Sequence, residues 1–244
     1  MENKKFGLLG RNIGYSFSKG YFTEKFRSLG LINCSYENFD IPDISSFPEI
    51  YKTDLNGMNV TIPYKEAVVP FLDELDDAAQ KIGAVNTIKF LPQGQLKGFN
   101  TDHIGFHDSL KPLLRPHHRK ALVLGTGGAA KAVVFAIENL AIATQYVSRR
   151  PENNSISYQD LSAELMAEYT IVVNCTPLGT KPEIDACPDI PYQFLTEKHL
   201  AYDLIYNPAE TTFLQKAAHQ GAVTKNGYEM LEIQAEASWK IWNS

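Results

Sequence analysis

The sequence is poor in cysteine. Its 244 residues contain only Cys34, Cys175 and Cys187, an odd number at wide spacing and without a CxxC pair. A disulfide framework needs paired cysteines, and the common zinc sites need closely spaced ones. The sequence therefore predicts neither a disulfide-stabilised secreted domain nor a zinc site, and we expect no metal.

Long apolar runs are also absent. The apolar run before Arg11 has five residues, too few for the core of a signal peptide. No window of the chain approaches the roughly 20 apolar residues that a membrane span needs. We therefore expect a protein of the reducing cytoplasm that has no membrane partner.

An excess of positive charge is missing too. The chain has 23 lysines and arginines against 28 aspartates and glutamates, a net charge of −5. Because a basic surface is the electrostatic signature of nucleic-acid binding, we expect no nucleic-acid partner. A small anionic substrate stays open, since a few local side chains decide its binding.

Short apolar runs and amphipathic stretches alternate along the chain. In the first hundred residues they predict a mixed sheet with a hairpin at Pro92–Gly94, and a helix that runs from an N-cap at Ser18 to Leu29. A second unit begins near residue 118, where strand–helix alternation is typical of a parallel sheet. The sequence thus predicts an α/β fold.

A glycine-rich segment, Gly125–Ala130, joins a buried strand, Lys120–Leu124, to an apolar helix predicted over Lys131–Leu140. Glycines at this turn allow pyrophosphate to approach the backbone, and the helix N-terminus supplies N–H donors. The setting favours a dinucleotide site over a glycine-rich turn without a ligand.

The strand after this helix indicates which dinucleotide is bound. Sites for NAD usually carry Asp or Glu there for the ribose 2′-hydroxyl. Here the strand ends in Ser148, Arg149 and Arg150, with no carboxylate. Two guanidinium groups suit a 2′-phosphate, so NADP is favoured. The missing acid argues against S-adenosylmethionine, and a solvated basic turn remains the alternative.

Small polar residues cluster near strand ends in the first unit. Thr61 follows a strand and Lys65 lies in the first turn of a helix that Pro63 opens, while Asn86 and Asp102 stand near other strand termini. Open α/β sheets present ligands at such places. Each residue also has a purely structural interpretation, as a turn, cap or surface residue.

The final helix, predicted over Met230–Trp242, has one amide on its apolar stripe. Gln234 falls among Leu231, Ala235 and Ser238. A buried glutamine satisfied by backbone is favoured on the helical pattern alone, and contact with a ligand is the alternative.

Six segments in order along the chain carry a resemblance to a known family. They are NVTIPYKE (59–66), GAVNT (83–87), FNTD (99–102), LGTGGAAKA (124–132), NCTPLG (174–179) and GYEML followed by Gln234 (227–234). Together they resemble shikimate dehydrogenase, over essentially the whole chain. That family reduces 3-dehydroshikimate to shikimate with NADPH, on the route to chorismate and the aromatic amino acids.

The resemblance implies the domain organisation. It implies a mixed-sheet substrate domain at 1–102, a Rossmann-type NADP-binding domain at 103–220, and a cleft between them. A C-terminal helix at 221–244 would return to the first domain. The protein would be a monomer or a homodimer.

The resemblance also implies roles for individual residues. Lys65 matches the family's invariant lysine, a proton donor and acceptor, and Asp102 its partner. Residues matching substrate contacts are Ser16, Ser18 and Tyr206 for the carboxylate, and Thr61, Asn86 and Gln234 for hydroxyls. Residues matching cofactor contacts are Asp77, Gly125, Thr126, Gly127, Gly128, Ala129, Ser148, Arg149, Arg150, Leu204 and Gly227.

Two departures from the family pattern leave alternatives open. The first loop, usually His-Ser-x-Ser-Pro, has Tyr15 and Lys19-Gly20 around its two serines, a difference that leaves loop rigidity and substrate range open. The cofactor strand ends Ser-Arg-Arg where the family usually has Asn-Arg-Thr. A quinate/shikimate dehydrogenase with broader substrate or NAD use is the nearest alternative, and a catalytically idle ligand sensor on the same fold is a more distant one.

Overall fold

A computed structural model describes residues 3–14, 16–52, 54–152 and 154–244. The chain divides into two compact units, Met1–Thr101 with Ala235–Ser244, and Asp102–Gln234. The first boundary lies one residue from that expected between 102 and 103. Residues 221–234 group with the second unit, so only the last ten residues of the expected C-terminal segment belong to the first.

The first unit is a six-stranded mixed sheet with helices on its faces. Its strands are β1 (Lys4–Gly10), β2 (Cys34–Asp40), β3 (Gly57–Val60), β4 (Glu74–Leu75), β5 (Thr87–Phe90) and β6 (Leu96–Phe99). Its helices are α1 (Phe17–Ser28), α2 (Phe47–Tyr51), α3 (Tyr64–Ala67) and α4 (Asp77–Ile82). The strand order is β2-β1-β3-β5-β6-β4, with β5 antiparallel to both of its neighbours.

The predicted hairpin is confirmed. β5 and β6 pair antiparallel up to Phe90 and Leu96, and the Leu91 N–H donates to the Gln95 carbonyl at 2.8 Å. Gln93 and Gly94 both have positive φ, at 70° and 79°. A tight reversal needs such angles, which glycine adopts at little cost.

Apolar side chains cover both faces of this sheet. One cluster contains Phe47, Met58 and Ile88, and the other is rich in aromatic rings. In the second cluster the ring of Trp242 stacks on Phe6 at 4.9 Å, and its indole N–H donates to the Ile88 carbonyl at 3.0 Å. The end of the chain is therefore part of the core of the first unit.

The second unit is a parallel sheet of six strands. They are β7 (Lys120–Leu124), β8 (Ala143–Val147), β9 (Ser155–Ile156), β10 (Ile171–Asn174), β11 (Leu200–Asp203) and β12 (Val223–Lys225). The helices that follow Thr101 are α5 (Asp102–Leu110), α6 (Gly128–Glu138), α7 (Ala163–Glu168), α8 (Thr212–His219) and α9 (Tyr228–Trp242), the last of which ends in the first unit.

The strand order is β12-β11-β10-β7-β8-β9. The chain adds β8 and β9 on one side of β7 and β10, β11 and β12 on the other, so the order of strands reverses between β10 and β7. Ligands of open parallel sheets bind at the carboxyl ends of the strands beside such a reversal. The predicted α/β class, a mixed sheet followed by a parallel one, is confirmed.

Four predicted helix starts need correction. α9 begins at Tyr228, two residues before the predicted Met230. α1 begins at Phe17 and its N-cap is Ser16, whose hydroxyl accepts the Ser18 N–H at 3.3 Å, so Ser18 is not the cap. α6 begins at Gly128 rather than Lys131, because Gly128, Ala129 and Ala130 already form its first turn. α3 begins at Tyr64, with Pro63 in the cap position.

Candidate functional site

Polar residues of the first unit meet at one edge of its sheet. Thr61 follows the carboxyl end of β3, and Thr101 follows that of β6. Asn86 precedes β5, which runs antiparallel between those two strands, so its N-terminal end lies at the same edge. The strand arrangement thus gathers residues that are 15 to 40 positions apart in the sequence.

Asn86 is held firmly at this edge. It is buried, its side-chain oxygen accepts the Thr101 N–H at 2.7 Å, and its amide nitrogen donates to the Thr101 hydroxyl at 2.9 Å. The Thr101 hydroxyl also lies 3.1 Å from that of Ser238. Packing and hydrogen bonds therefore fix the orientation of the Asn86 amide.

Asn59 extends this network into the core, although sequence reasoning did not single it out. Its amide nitrogen donates to the Ser238 hydroxyl at 3.0 Å and to the Thr87 hydroxyl at 3.2 Å. Its oxygen accepts from the Tyr36 phenol at 2.8 Å. The available signal was an asparagine inside an otherwise apolar strand, which needs partners when buried.

The two predicted serines begin α1. Ser16 is the N-cap, while the hydroxyl of Ser18 bonds to the Tyr36 phenol. Burial raises the pKa of that phenol, and the Ser18 bond offsets a part of the shift. Tyr15, the departure noted beside these serines, lies outside the described residues.

Lys65 lies in the short helix α3 and is half-buried. The Val85 N–H donates to its carbonyl at 2.7 Å, so the residue beside Asn86 anchors its backbone. Asp102, the first residue of α5, is 6% exposed and directly follows Thr101. Asp77, predicted near the cofactor, is exposed in the first turn of α4.

The glycine-rich segment of the second unit lies at the strand-order reversal. Gly125 follows β7 with φ of 109°, and a Cβ there would lie 3.4 Å from the Cys175 carbonyl group after β10. Gly127 is the N-cap of α6 in extended conformation, with φ of −77°. A Cβ on Gly127 would meet nothing within 4 Å. Among the described residues, no contact requires glycine at that position.

The N-terminus of α6 is suited to an anion. The first backbone bond of the helix runs from the Lys131 N–H to the Gly127 carbonyl, and no side chain caps the helix at Gly127. N–H groups of a first turn lack intrahelical acceptors and carry the positive end of the helix dipole. Thr126 and Gly127 are exposed, and Gly128 and Ala129 are half-buried.

Beyond β8, the predicted phosphate-binding segment forms a small turn. The Ser148 hydroxyl donates to the Arg150 carbonyl at 3.1 Å and accepts the Arg150 N–H at 3.2 Å. Arg149 and Arg150 are both exposed. The turn therefore leaves two arginine side chains exposed to solvent.

The remaining predicted residues of the second unit follow β11, directly precede α9 or belong to it. Leu204 and Tyr206 are half-buried, and the Gly227 N–H donates to the Ile205 carbonyl at 3.1 Å. A Cβ on Gly227 would lie closer than 3.0 Å to the Leu204 carbonyl oxygen, so this glycine permits a close backbone approach. Gln234 is buried, and its amide donates to the Leu231 carbonyl at 3.0 Å.

One ionisable residue at this end of the sheet was missed by sequence reasoning. Asp203 is fully buried, and burial raises the pKa of its carboxyl from 3.8 to about 6. Hydrogen bonds from Thr211, Ile205 and Asn174 oppose that shift. Asp203 lies beside segment 174–179 in the structure, but it belongs to none of the six segments that carry the family resemblance. The sequence motifs therefore did not point to it.

Metal-ligating and membrane-spanning features were sought over the described ranges. Within them, no three His, Cys, Asp or Glu side chains form a group that could hold a metal ion. No helix among these residues has the length and apolar character to cross a membrane.

Comparison with known proteins gives a consistent result. A family model described as "Shikimate dehydrogenase substrate binding domain" matches residues 8–88. A curated relative from Desulforamulus reducens, named "Shikimate dehydrogenase (NADP(+))", is 38% identical, over 97% of this chain and 88% of the relative.

Solved structures are similar over nearly the full chain. Shikimate dehydrogenase from Aquifex aeolicus superimposes with a TM-score of 0.88 at 33% identity, covering 99% of this chain and 92% of that one. The enzyme from Thermus thermophilus, solved with NADP(H) and shikimate, gives a TM-score of 0.87 at 33% identity, covering 98% and 93%.

Proposed function

The chain belongs to the shikimate dehydrogenase family, and from that membership we propose that Lys65 and Asp102 carry the proton transfer of its reaction. The enzyme is an NADP-dependent oxidoreductase that interconverts 3-dehydroshikimate and shikimate, a step in chorismate and aromatic amino-acid biosynthesis. The observation that carries this function is the 38% identity to a curated NADP-dependent enzyme over 97% of the chain.

The residues around the glycine loop fit NADP. The open space at Gly127 leaves room for a pyrophosphate against the backbone, and the first turn of α6 offers N–H donors. Arg149 and Arg150 supply the charge for a 2′-phosphate, with Ser148 shaping their turn. Further proposed contacts are Gly125, Thr126, Gly128, Ala129, Leu204, Gly227 and Asp77.

The bound NADPH supplies a hydride to the substrate ketone. Negative charge then develops on the ketone oxygen, which must receive a proton. We assign that proton to the Lys65 ammonium group, which accepts it back in the oxidative direction. Asp102 orients Lys65 and accepts a hydrogen bond from a substrate hydroxyl.

A run of backbone contacts supports this pairing. Lys65 is anchored to Val85, Asn86 accepts the Thr101 N–H, and Asp102 is the next residue in the chain. The backbone of Lys65 is therefore held by segment 85–86, which in turn bonds the residue that precedes Asp102. Holding reacting groups in place is a large part of catalysis.

The substrate contacts are proposed as two groups. Ser16, Ser18 and Tyr206 would hold the carboxylate through hydroxyl donors, and Thr61, Asn86 and Gln234 would contact ring hydroxyls. The fixed amide of Asn86 supports its assignment, because a ligand would then meet a side chain that is already oriented. We place the enzyme in the cytoplasm, as a monomer or homodimer. Size-exclusion chromatography with light scattering would measure its oligomeric state.

The test of the proposal is an assay of the oxidative reaction by absorbance of the reduced nicotinamide. The wild type is supplied with shikimate or quinate, each with NADP⁺ or NAD⁺. We expect turnover of shikimate with NADP⁺. Absence of shikimate turnover with either cofactor would refute the function, and equal rates with quinate and NAD⁺ would favour the broader alternative.

The proton-transfer assignment is tested by Lys65→Ala and Asp102→Asn. General acid–base groups typically contribute about 10²–10⁴-fold, so we expect the lysine variant to lose that much kcat with a modest change in KM. Lys81→Ala, which removes an exposed lysine from the short helix α4, is the matched control. Near-normal kcat for Lys65→Ala would remove Lys65 from the chemistry.

A further inference from the structure

Asp203 is a buried carboxylate that the proposed mechanism does not use. It is the last residue of β11, next to the segment Leu204–Tyr206, which carries two of the proposed ligand contacts. Burial of an ionisable side chain is costly unless hydrogen bonds compensate for it. Its bonding partners therefore indicate what this carboxylate does.

Three donors from three different segments converge on the carboxylate. One oxygen accepts from the Asn174 side-chain amide at 3.0 Å and from the Ile205 N–H at 3.0 Å. The other accepts from the Thr211 hydroxyl at 2.6 Å. These donors belong to the end of β10, to the segment after β11 and to the N-cap of α8.

The hydrogen bonds continue into NCTPLG (174–179), one of the six segments that carry the family resemblance. The Asn174 oxygen accepts from the Thr176 N–H at 3.0 Å and from its hydroxyl at 2.7 Å. Gly179, with φ of 107°, packs so that a Cβ there would lie 3.4 Å from Thr211. One carboxylate therefore connects two neighbouring loops at the carboxyl ends of the parallel strands.

We propose that Asp203 is a positioning residue. Its hydrogen bonds join the end of β10, the segment Leu204–Tyr206 and the start of α8. They thereby fix the proposed cofactor contact of Leu204 and the proposed substrate contact of Tyr206. The inference rests on the proposed function for the roles of Leu204 and Tyr206. The connection between the three segments rests on the three hydrogen bonds alone.

The hydrogen bonding fits the ionised form. All three partners donate, and the Thr211 hydroxyl also accepts the Leu214 N–H as the cap of α8. Protonation of Asp203 would remove the charge that these donors stabilise, and of the three partners only the Thr211 hydroxyl could accept the new O–H. The facing Cys175 thiol and Tyr192 phenol both have pKa values raised, first of all by burial, so they add no charge at neutral pH. The pKa of Asp203 is raised to about 6, which predicts that its hydrogen bonds to the three segments weaken as the pH falls below that value.

The test compares Asp203→Ala with Asp203→Asn. The asparagine keeps an oxygen that can accept from Asn174 and Ile205, whereas alanine removes every acceptor. Loss of a hydrogen bond to a charged group corresponds to about tenfold or more in binding. We expect Asp203→Ala to raise KM for shikimate about tenfold with a smaller change in kcat. Asp203→Asn, which is uncharged like protonated Asp203, should raise KM less than Asp203→Ala does, to the level that wild type reaches below about pH 6.

Tyr202→Phe is the matched control. It removes a buried hydrogen bond, from Tyr202 to Ser109 at 2.7 Å, at the neighbouring residue of the same strand. A general loss of stability would move all these variants alike, whereas positioning moves only the Asp203 variants. A KM for Asp203→Ala within twofold of wild type would overturn the proposal, as would an equal rise in Tyr202→Phe.

Two further measurements keep the test decisive. If Asp203→Ala does not fold, the pH profile of Asp203→Asn decides, since the rise in shikimate KM below about pH 6 in wild type should vanish in it. Persistence of that rise would overturn the proposal. Hydrogen exchange of the Ile205 amide, which needs no substrate, should accelerate at least about tenfold in Asp203→Ala. If wild type fails to oxidise shikimate, the proposed function falls, while unchanged exchange overturns the positioning role separately.

Discussion

Replacing Gly127 by alanine separates a requirement of the fold from a requirement of the cofactor. Gly127 has φ of −77°, an angle that alanine adopts without strain, and an added Cβ would meet no atom of the residues that the structure describes within 4 Å. Alanine is a poorer N-cap than glycine by about 0.5–1 kcal/mol, but it lowers the entropy of the unfolded chain by a comparable 0.4–1 kcal/mol. We expect the free energy of unfolding of the unliganded protein to change by less than about 0.5 kcal/mol.

The effect on NADP binding should be much larger. A methyl group at Gly127 would stand where the pyrophosphate is expected to approach the first turn of α6. Losing one hydrogen bond to a charged group costs about 1.5–3 kcal/mol, and each 1.4 kcal/mol is tenfold in Kd. We therefore expect Gly127→Ala to weaken NADP⁺ binding by at least about tenfold.

Gly125→Ala provides the contrast. Its φ of 109° is strained for any residue with a Cβ, so we expect a loss of about 1–3 kcal/mol in stability in addition to weaker binding. Kd would be measured by isothermal titration calorimetry, and stability by urea unfolding followed by circular dichroism. Wild-type affinity in a well-folded Gly127→Ala protein would refute a pyrophosphate at this loop.

Two other substitutions test further parts of the molecule. Arg149→Ala should weaken NADP⁺ binding at least about tenfold, because a charged partner of the 2′-phosphate is lost. It should leave NAD⁺ binding within about twofold of wild type. Equal effects on the two cofactors would contradict the assignment. Gly57→Ala would place a Cβ closer than 3.0 Å to the Trp242 indole and should cost about 2–4 kcal/mol through overpacking and the lost indole hydrogen bond. The matched Gly20→Ala, in open space on α1, should stabilise by about 0.5–1 kcal/mol. Fluorescence of the only two tryptophans, Trp239 and Trp242, reports unfolding of the first unit, and destabilisation by both substitutions would contradict the packing argument.

The fold was largely predictable because its signals are local. Apolar runs, a glycine-rich turn between strand and helix, and the hairpin at Pro92–Gly94 all act within a few residues. The errors concern helix starts. Ser16 and Ser18 have the same side chain two positions apart, and only the backbone angles decide which hydroxyl accepts the first-turn N–H.

The polar network of the first unit was harder to predict, because its members come from distant parts of the sequence. Ser238 contacts Asn59 and Thr101 at separations of 179 and 137 residues. On the helical pattern Ser238 is simply a small residue on an apolar stripe. Its role in holding Thr101, and through it Asn86, emerges only from the packing of α9 residues 235–242 in the first unit.

The glycines show why a resemblance and a structure carry different information. The resemblance assigns Gly127 and Gly227 to the cofactor alike. Gly227 has an internal reason to be glycine, since a Cβ would strike the Leu204 carbonyl, whereas Gly127 has none. Open space alone is no argument for a ligand, since Gly20 on α1 is equally open. At Gly127 the open space lies at the N-cap of a helix that no side chain caps, and the two observations together argue for a bound anion.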